Sequence, residues 1–255
     1  MKKKIDLPRF EFESIGILNS PYKQRFGIPH QPGVSQGLTG VIKLKPDADF
    51  KTALRGLDTF SHLWIVFVFH NHGGKKWKPS IRPPRLGGNK KIGLFASRSP
   101  HRPNPIGISA VKLEKIDLDA KGGPEIHVSD VDLMEGTPIL DIKPYIPLAD
   151  KIESANSGWA DIPVPRYQVL ITEQAEKDFK KWDPDLSKNL RSHAIAMIEL
   201  DPRPAFQKRK IPVESENSQG KKFGLDVDNY DVKYEIKNNG FLITNVLILN
   251  KNKPR

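Results

Sequence analysis

Apolar residues recur along the first 150 positions with the two-residue period of strands. Phe10, Phe12, Ile15 and Ile17 nearly alternate with polar neighbours and predict a first strand ending at Asn19, where Ser20-Pro21-Tyr22 turns the chain away. A loop rich in Pro, Gly, Arg and His runs on to Gly33, and LTGVIKL at 38–44 predicts a second strand. Residues 50–57 predict a short helix stopped at Gly56. The unbroken Leu, Trp, Ile, Val and Phe content of 62–70 reads as a buried strand. Further strands are predicted at 92–96, 108–116, 126–133 and 139–142, with Lys121-Gly122-Gly123-Pro124 turning between the second and third of these.

The period changes near residue 150. SANSGWADIPVP at 154–165 is small, polar and proline-bearing, as a linker is. Thr172 stands as an N-cap before helix formers that run to Trp182, with Glu173 and Glu176 in the first turn. Leu186, Leu190, Ala194, Met197 and Ile198 keep helical spacing over 185–200 until Asp201-Pro202-Arg203-Pro204 stops the run. Two alternating runs, 230–237 and 241–249, flank Asn238-Asn239-Gly240, a hairpin signal. The pattern therefore predicts a mainly β, barrel-like N-terminal domain over 1–152, a linker over 153–165 and a small α+β C-terminal domain over 166–255.

Composition adds a partner class. The 255 residues carry 41 Lys and Arg against 30 Asp and Glu, a net charge of +11, which favours polyanions, nucleic acid ahead of membrane. The excess is concentrated. From Thr59 to Leu113 there are ten basic residues and no Asp or Glu, an arrangement suited to receiving phosphates or a ligand carboxylate. The chain has no cysteine, which excludes disulfides, thiolate nucleophiles, zinc–thiolate sites and iron–sulfur clusters. No apolar segment follows the lysines of MKKKIDLPRFEFE, and the longest apolar run, 63–69, is too short to span a bilayer, so a cytoplasmic protein is expected.

Three segments are richer in Pro, Gly, Arg, His and Asn than turns require: 20–31, 82–107 and 136–145. Neither a GxGxxG after a strand nor a GxxxxGK[ST] occurs, so a Rossmann fingerprint and a P-loop are absent. His70-Asn71-His72 lacks nearby carboxylates and lies in a basic field, so no metal site is expected. No GxSxG or Ser–His–Asp spacing argues for acyl transfer.

FSHLWIVFVFH, RPPRLGGN, FASRSPHRPNPIG and GTPILDIKPYIP resemble the signature segments of the TrmO (YaeB/TsaA) family, over about residues 12–150. Asp201-Pro202-Arg203-Pro204-Ala205-Phe206 resembles part of the C-terminal domain of its longer bacterial members. The resemblance implies an S-adenosyl-L-methionine-dependent tRNA methyltransferase acting on N6 of threonylcarbamoyladenosine beside the anticodon, built on a β-barrel and assembling as a homodimer. Its cofactor contacts fall on Pro29, His30, Gln31, His70, Asn71, Arg98, Ile108, Gly136, Thr137, Pro138 and Ile139. Two positions depart from the bacterial pattern: Arg is usual where His30 stands, and Gln where Asn71 stands.

Under that reading Arg98 suits the cofactor carboxylate. Lys75, Lys76, Arg82, Arg85, Lys90, Lys91 and Arg102 would receive tRNA phosphates, and the single-stranded anticodon loop can be read without opening a duplex. Asp141, or else His70 or His101, would accept the proton lost by the acceptor nitrogen, with a loop-bracing hydrogen bond the alternative role for Asp141. A non-catalytic basic RNA-binding protein, or a cofactor-binding barrel acting on another nucleoside, remains compatible with the sequence.

Overall fold

In the computed structural model the described residues are 6–24, 27–28, 37–72, 77–185, 187 and 189–249. Strands β1 (Gly16–Asn19) and β2 (Gly40–Leu44) precede a short helix α1 (Ala48–Ala53) and strand β3 (His62–Val68). A two-residue ribbon, β4 (Ser80–Ile81) and β5 (Ile92–Gly93), frames the basic loop. Strands β6 (Ile106–Asp117), β7 (Glu125–Ser129) and β8 (Thr137–Pro144) and a turn of helix α2 (Pro147–Asp150) follow.

Strands β1-β2-β7-β6-β3-β8 close into an antiparallel barrel, β1 pairing with β8 through Gly16↔Ile139 and Leu18↔Thr137. Closure leaves none of the six strands with an open edge. Its interior is filled by Leu18, Ile42, Leu63, Ile65, Phe67, Val111, Ile126, Val128 and Ile139, all buried. Strand β3 alternates. Leu63, Ile65 and Phe67 point inward, whereas Trp64, Val66 and Val68 are half-buried on the outer face. Continuous apolar content there reflects partial cover outside, not burial on two faces. Gly107 lets β6 approach β3, because a Cβ at that position would sit 2.3 Å from Cζ of Phe67.

The C-terminal unit packs helices on one four-stranded sheet. Strand β9 (Val169–Ile171) leads into α3 (Glu173–Trp182), α4 (Leu190–Ile198) and α5 (Ala205–Lys210), then β10 (Lys222–Val227), β11 (Tyr230–Lys237) and β12 (Gly240–Ile248). Sheet order is β10-β11-β12-β9, with β9 parallel to β12. Thr172 caps α3, its hydroxyl accepting from the Ala175 N–H at 3.2 Å, and Asn238 and Asn239 take positive φ in the two-residue hairpin turn. Arg203 is buried with Asp201: Nε donates to Oδ1 at 2.6 Å and Nη2 to Oδ2 at 2.8 Å, while the guanidinium lies 4.9 Å from the Phe223 ring. The Asp-Pro-Arg-Pro segment is thus a core ion pair as well as a helix stop.

The two units share a core. Tyr22 and Leu38, both fully buried, belong to the C-terminal hydrophobic cluster with Phe179, Met197, Leu225 and Val227, and Tyr22 forms an antiparallel bridge with Val227. His193 of α4 adds a polar tie, its Nε2 standing 3.4 Å from the Thr39 N–H donor and 3.1 Å from Thr39 Oγ1. Burial pushes His193 from its ordinary 6.5 down to about 4, against the opposing charge of Asp183. The unfolded chain therefore binds this proton at a higher pH than the folded chain does. His193 opposes folding increasingly as pH falls from about 6.5 towards 4. Chemical denaturation of the wild type and His193→Gln across that window should show the wild type losing stability relative to the variant; a constant difference would remove the assignment.

Candidate active site

One cavity dominates the described surface. It has a volume of about 1170 Å³ and opens at the end of the barrel where β3 finishes and β6 and β8 begin. Its apolar wall is Phe67, Ile108, Leu133 and Met134; its polar wall comes from the 70–72 turn, the basic loop and the 132–137 turn. The linker contributes Ser157, Trp159 and Ala160 as a third side. The volume is that of a full ligand-binding cleft.

The sequence-predicted cofactor residues separate into groups. His70, Asn71, Arg98, Ile108 and Thr137 line the cavity. Gly136 stands beside it with φ +73°, a Cβ there falling 3.9 Å from Nε2 of His70. Pro138 and Ile139 are not among the lining residues: both pair with β1, and Ile139 is buried in the barrel with its carbonyl accepting from the Ile15 N–H at 2.8 Å. They close the barrel under the cavity. Pro29, His30 and Gln31 lie outside the described residues.

The cations divide as well. Arg82, Arg85 and Lys91 line the cavity, together with Lys78, which the sequence reading left out. Lys90 is exposed away from the lining residues, and Lys75 and Lys76 lie outside the described residues. Arg102 donates to the Ser97 carbonyl at 2.8 Å and lies 5.5 Å from the Phe95 ring. Arg85 ties the linker to the loop through Nη2, which donates to the carbonyls of Ala160 and Ile162, while its Nε and Nη1 make no hydrogen bond among the described residues. Trp159 adds a second tie, Nε1 donating to the Ala96 carbonyl at 2.9 Å. Among the described residues no salt bridge engages Lys78, Arg82, Lys91 or Arg98, which leaves their charge available to an incoming anion.

Asp141 is placed elsewhere. Its Oδ1 accepts from the Ile142 N–H at 2.8 Å and its Oδ2 pairs with Lys143 at 2.7 Å, outside the lining residues. These contacts are those of a brace, and Asp141 is not among the residues that line the cavity. The carboxylate the sequence reading missed is Asp132, in the turn between β7 and β8, which lines the cavity and accepts from the Ser109 hydroxyl at 2.5 Å through Oδ1. Burial raises it from an ordinary 3.8 to about 6, with the Ser109 hydrogen bond and the charge of Arg98 opposing. Of the histidines, His70 is lowered by burial against a hydrogen bond with the Val68 backbone. His72 Nε2 and His101 Nδ1 are 2.6 Å apart, within hydrogen-bond distance of each other.

The donor set fits S-adenosyl-L-methionine. Arg98 offers a cation to a carboxylate, and the Phe67, Ile108, Leu133 and Met134 wall suits the apolar parts of such a ligand. A closed antiparallel barrel with a cation-lined cavity at one end is a different scaffold from the doubly wound sheets that hold dinucleotides.

Comparison narrows the class. Residues 17–151 match the tRNA-methyltransferase O N-terminal domain, and residues 164–248 match the TrmO C-terminal domain. The tRNA (adenine(37)-N6)-methyltransferase of Escherichia coli (strain K12) is 38% identical over 236 residues, covering 91% of this chain and 95% of that protein. A putative S-adenosylmethionine-dependent methyltransferase of Pseudomonas aeruginosa is 37% identical over 86% of this chain and 90% of its own length. A crystal structure of TrmO from P. aeruginosa superposes with a TM-score of 0.75 at 30% identity, over 96% of this chain and 100% of that one. The chain belongs to the TrmO family.

The linker ties generate a test. In Arg85→Ala the 157–162 segment loses its guanidinium anchor, and chymotrypsin should cut after Trp159 several-fold faster than in the wild type. Equal rates would mean that the linker is held independently of the basic loop.

Proposed function

We propose that this chain is an S-adenosyl-L-methionine-dependent tRNA methyltransferase that methylates N6 of the adenosine at position 37, with threonylcarbamoyladenosine as the acceptor. The observation that carries the reading is the cavity itself: cations outside any salt bridge among the described residues and an apolar wall meet in a volume of ligand-binding size. A sulfonium cofactor supplies the methyl group when bound. The chain's own residues then bind, orient and exclude water, holding the acceptor nitrogen in line with the methyl carbon. Arg98 takes the cofactor carboxylate, while Lys78, Arg82 and Lys91 meet the phosphates of the anticodon loop. An acceptor with its own carboxylate is favoured by the same field.

A cytoplasmic homodimer belongs to this reading. No helix among the described residues is long and apolar enough to cross a membrane. Leu148 is 97% exposed, and with Ile146 and Ile152 it offers apolar surface that a second copy would cover. Analytical ultracentrifugation of the wild type and Leu148→Asp tests the assembly, with a monomeric wild type ending it.

The central experiment is calorimetric titration with S-adenosyl-L-methionine followed by labelled methyl transfer to tRNA with and without the threonylcarbamoyl group. Transfer to modified tRNA alone is expected, and transfer to both or neither changes the acceptor. Arg98→Ala should weaken cofactor affinity about tenfold or more, as loss of a charge-assisted pair does, while leaving tRNA affinity nearly intact. Affinity for tRNA should fall steeply between low and moderate salt, since each phosphate neutralised releases counterions. A flat salt dependence would remove the basic loop from the RNA interface.

A further inference from the structure

We infer that Asp132 is the catalytic residue that accepts the proton of the acceptor N6 nitrogen, with Ser109 as its positioning residue. The inference rests on the acceptor being the adenine N6 nitrogen of tRNA. It begins from the chemistry of that atom. A nitrogen conjugated to adenine, and to a carbamoyl group in the modified base, has its electron pair delocalised and attacks carbon only as its proton leaves. A base must therefore stand in the same cavity as the methyl donor.

Asp132 is the carboxylate among the cavity's described lining residues. It sits on the segment between β7 and β8, in a cavity whose lining also includes Ile108 and Met134. Ser109 follows Ile108 on β6 and is fully buried, and its hydroxyl donates to Oδ1 at 2.5 Å. That contact and a hydrogen bond from its own backbone N–H hold the carboxyl in place, and Oδ2 is the oxygen we assign to the substrate proton. The groups sharing the space are Arg98, whose charge reaches Asp132, and His70, His72, His101, Lys78, Arg82, Arg85 and Lys91 around the walls. Burial holds the carboxyl at about 6, close to the working pH, where a base combines ionisation with real proton affinity.

The step balances. The acceptor nitrogen passes its proton to Oδ2, forms the N–C bond with the freed pair, and displaces sulfur, which keeps the pair of the broken C–S bond as a neutral thioether. Asp132 then returns its proton to water. Asp141 pairs with Lys143 and is not among the cavity's described lining residues.

Asp132→Asn keeps the shape and the Ser109 contact and removes the base. Four readouts on wild type and variant decide the matter. Cofactor affinity by calorimetry should stay within about threefold, and the single-turnover rate of methyl transfer should fall about 100-fold or more, the usual worth of a positioned base. The acid limb of the wild-type rate near pH 6 should vanish in Asp132→Asn, and in Ser109→Ala it should move upward, because the lost hydrogen bond favoured the ionised form. Without cofactor or tRNA, ionising a carboxyl raised from 3.8 to about 6 opposes folding as pH rises through that range. Asp132→Asn should therefore gain thermal stability over the wild type between pH 4 and pH 7. Loss of cofactor affinity in Asp132→Asn would make Asp132 a cofactor ligand and overturn the inference, as would an unchanged transfer rate. A wild type that binds cofactor but methylates neither form of tRNA would instead overturn the function on which the inference rests.

Discussion

The burial of Tyr22 in the C-terminal core is the constraint on which the rest of the molecule depends. Tyr22 is six residues into a segment that begins as barrel strand β1, yet its ring lies among side chains of α3, α4 and β10. On its other side the same short segment is sewn to the 132–137 turn. Ser20 Oγ donates to the Leu133 carbonyl at 2.7 Å, the Ser20 N–H to Glu135 at 2.6 Å, and the Glu135 N–H to the Tyr22 carbonyl at 3.0 Å. Lys23 adds an ion pair with Glu135 at 3.3 Å. A displacement at Tyr22 would pass directly to the turn that carries Asp132, Met134 and Thr137. Gly27 repeats the dependence, with φ +95° and a missing Cβ that would lie 3.0 Å from Leu225 and 3.2 Å from Met197.

Charge gives the cavity its selectivity. Fifty-five residues without a carboxylate keep the basic loop from neutralising itself, and that field, felt in a partly enclosed space, favours anions over neutral ligands of the same shape. Some of the positive charge is structural. Arg85 and Arg102 are held by backbone carbonyls, which neutralise no charge but fix where it sits. The carboxyl among the described lining residues, Asp132, comes from a different segment and carries a proton affinity raised by its burial.

Much of this was legible in the chain, for reasons that can be named. The barrel strands, α3 with its Thr172 cap, and the Asn238-Asn239 hairpin follow from local period and local backbone preference. Strand β9 escaped notice because three residues carry no period, and β10 because KFGLDV mixes glycine and charge in a strand stabilised by its partner β11. The predicted first strand from Phe10 shortens to Gly16–Asn19: Phe10 and Phe12 alternate as strand residues do but are exposed and find no ladder partner among the described residues. At the site, motif segments located the 70–72 turn, Arg98, Ile108 and Thr137. Asp132 and Asp141 both lie near the same turn, and choosing between them needs the register of β8: strand pairing puts Asp141 opposite Val66, beyond the cavity. The outward face of a strand cannot be read from spacing when both faces carry apolar residues.

The residues between Ala155 and Pro165 look like a seam at which the molecule divides, and by composition they are one. By packing they are not. Tyr22, Ile28 and Leu38 precede most of the barrel in sequence but fill the interior of the unit that follows it. A chimera that joined this barrel to another relative's C-terminal half would place three foreign side chains in that interior and would inherit whatever misfit they brought. Exchangeable halves of this fold are therefore discontinuous in sequence: the C-terminal half must travel with the stretch around residues 22–38, which also holds the cofactor positions Pro29, His30 and Gln31 that the family resemblance marks out.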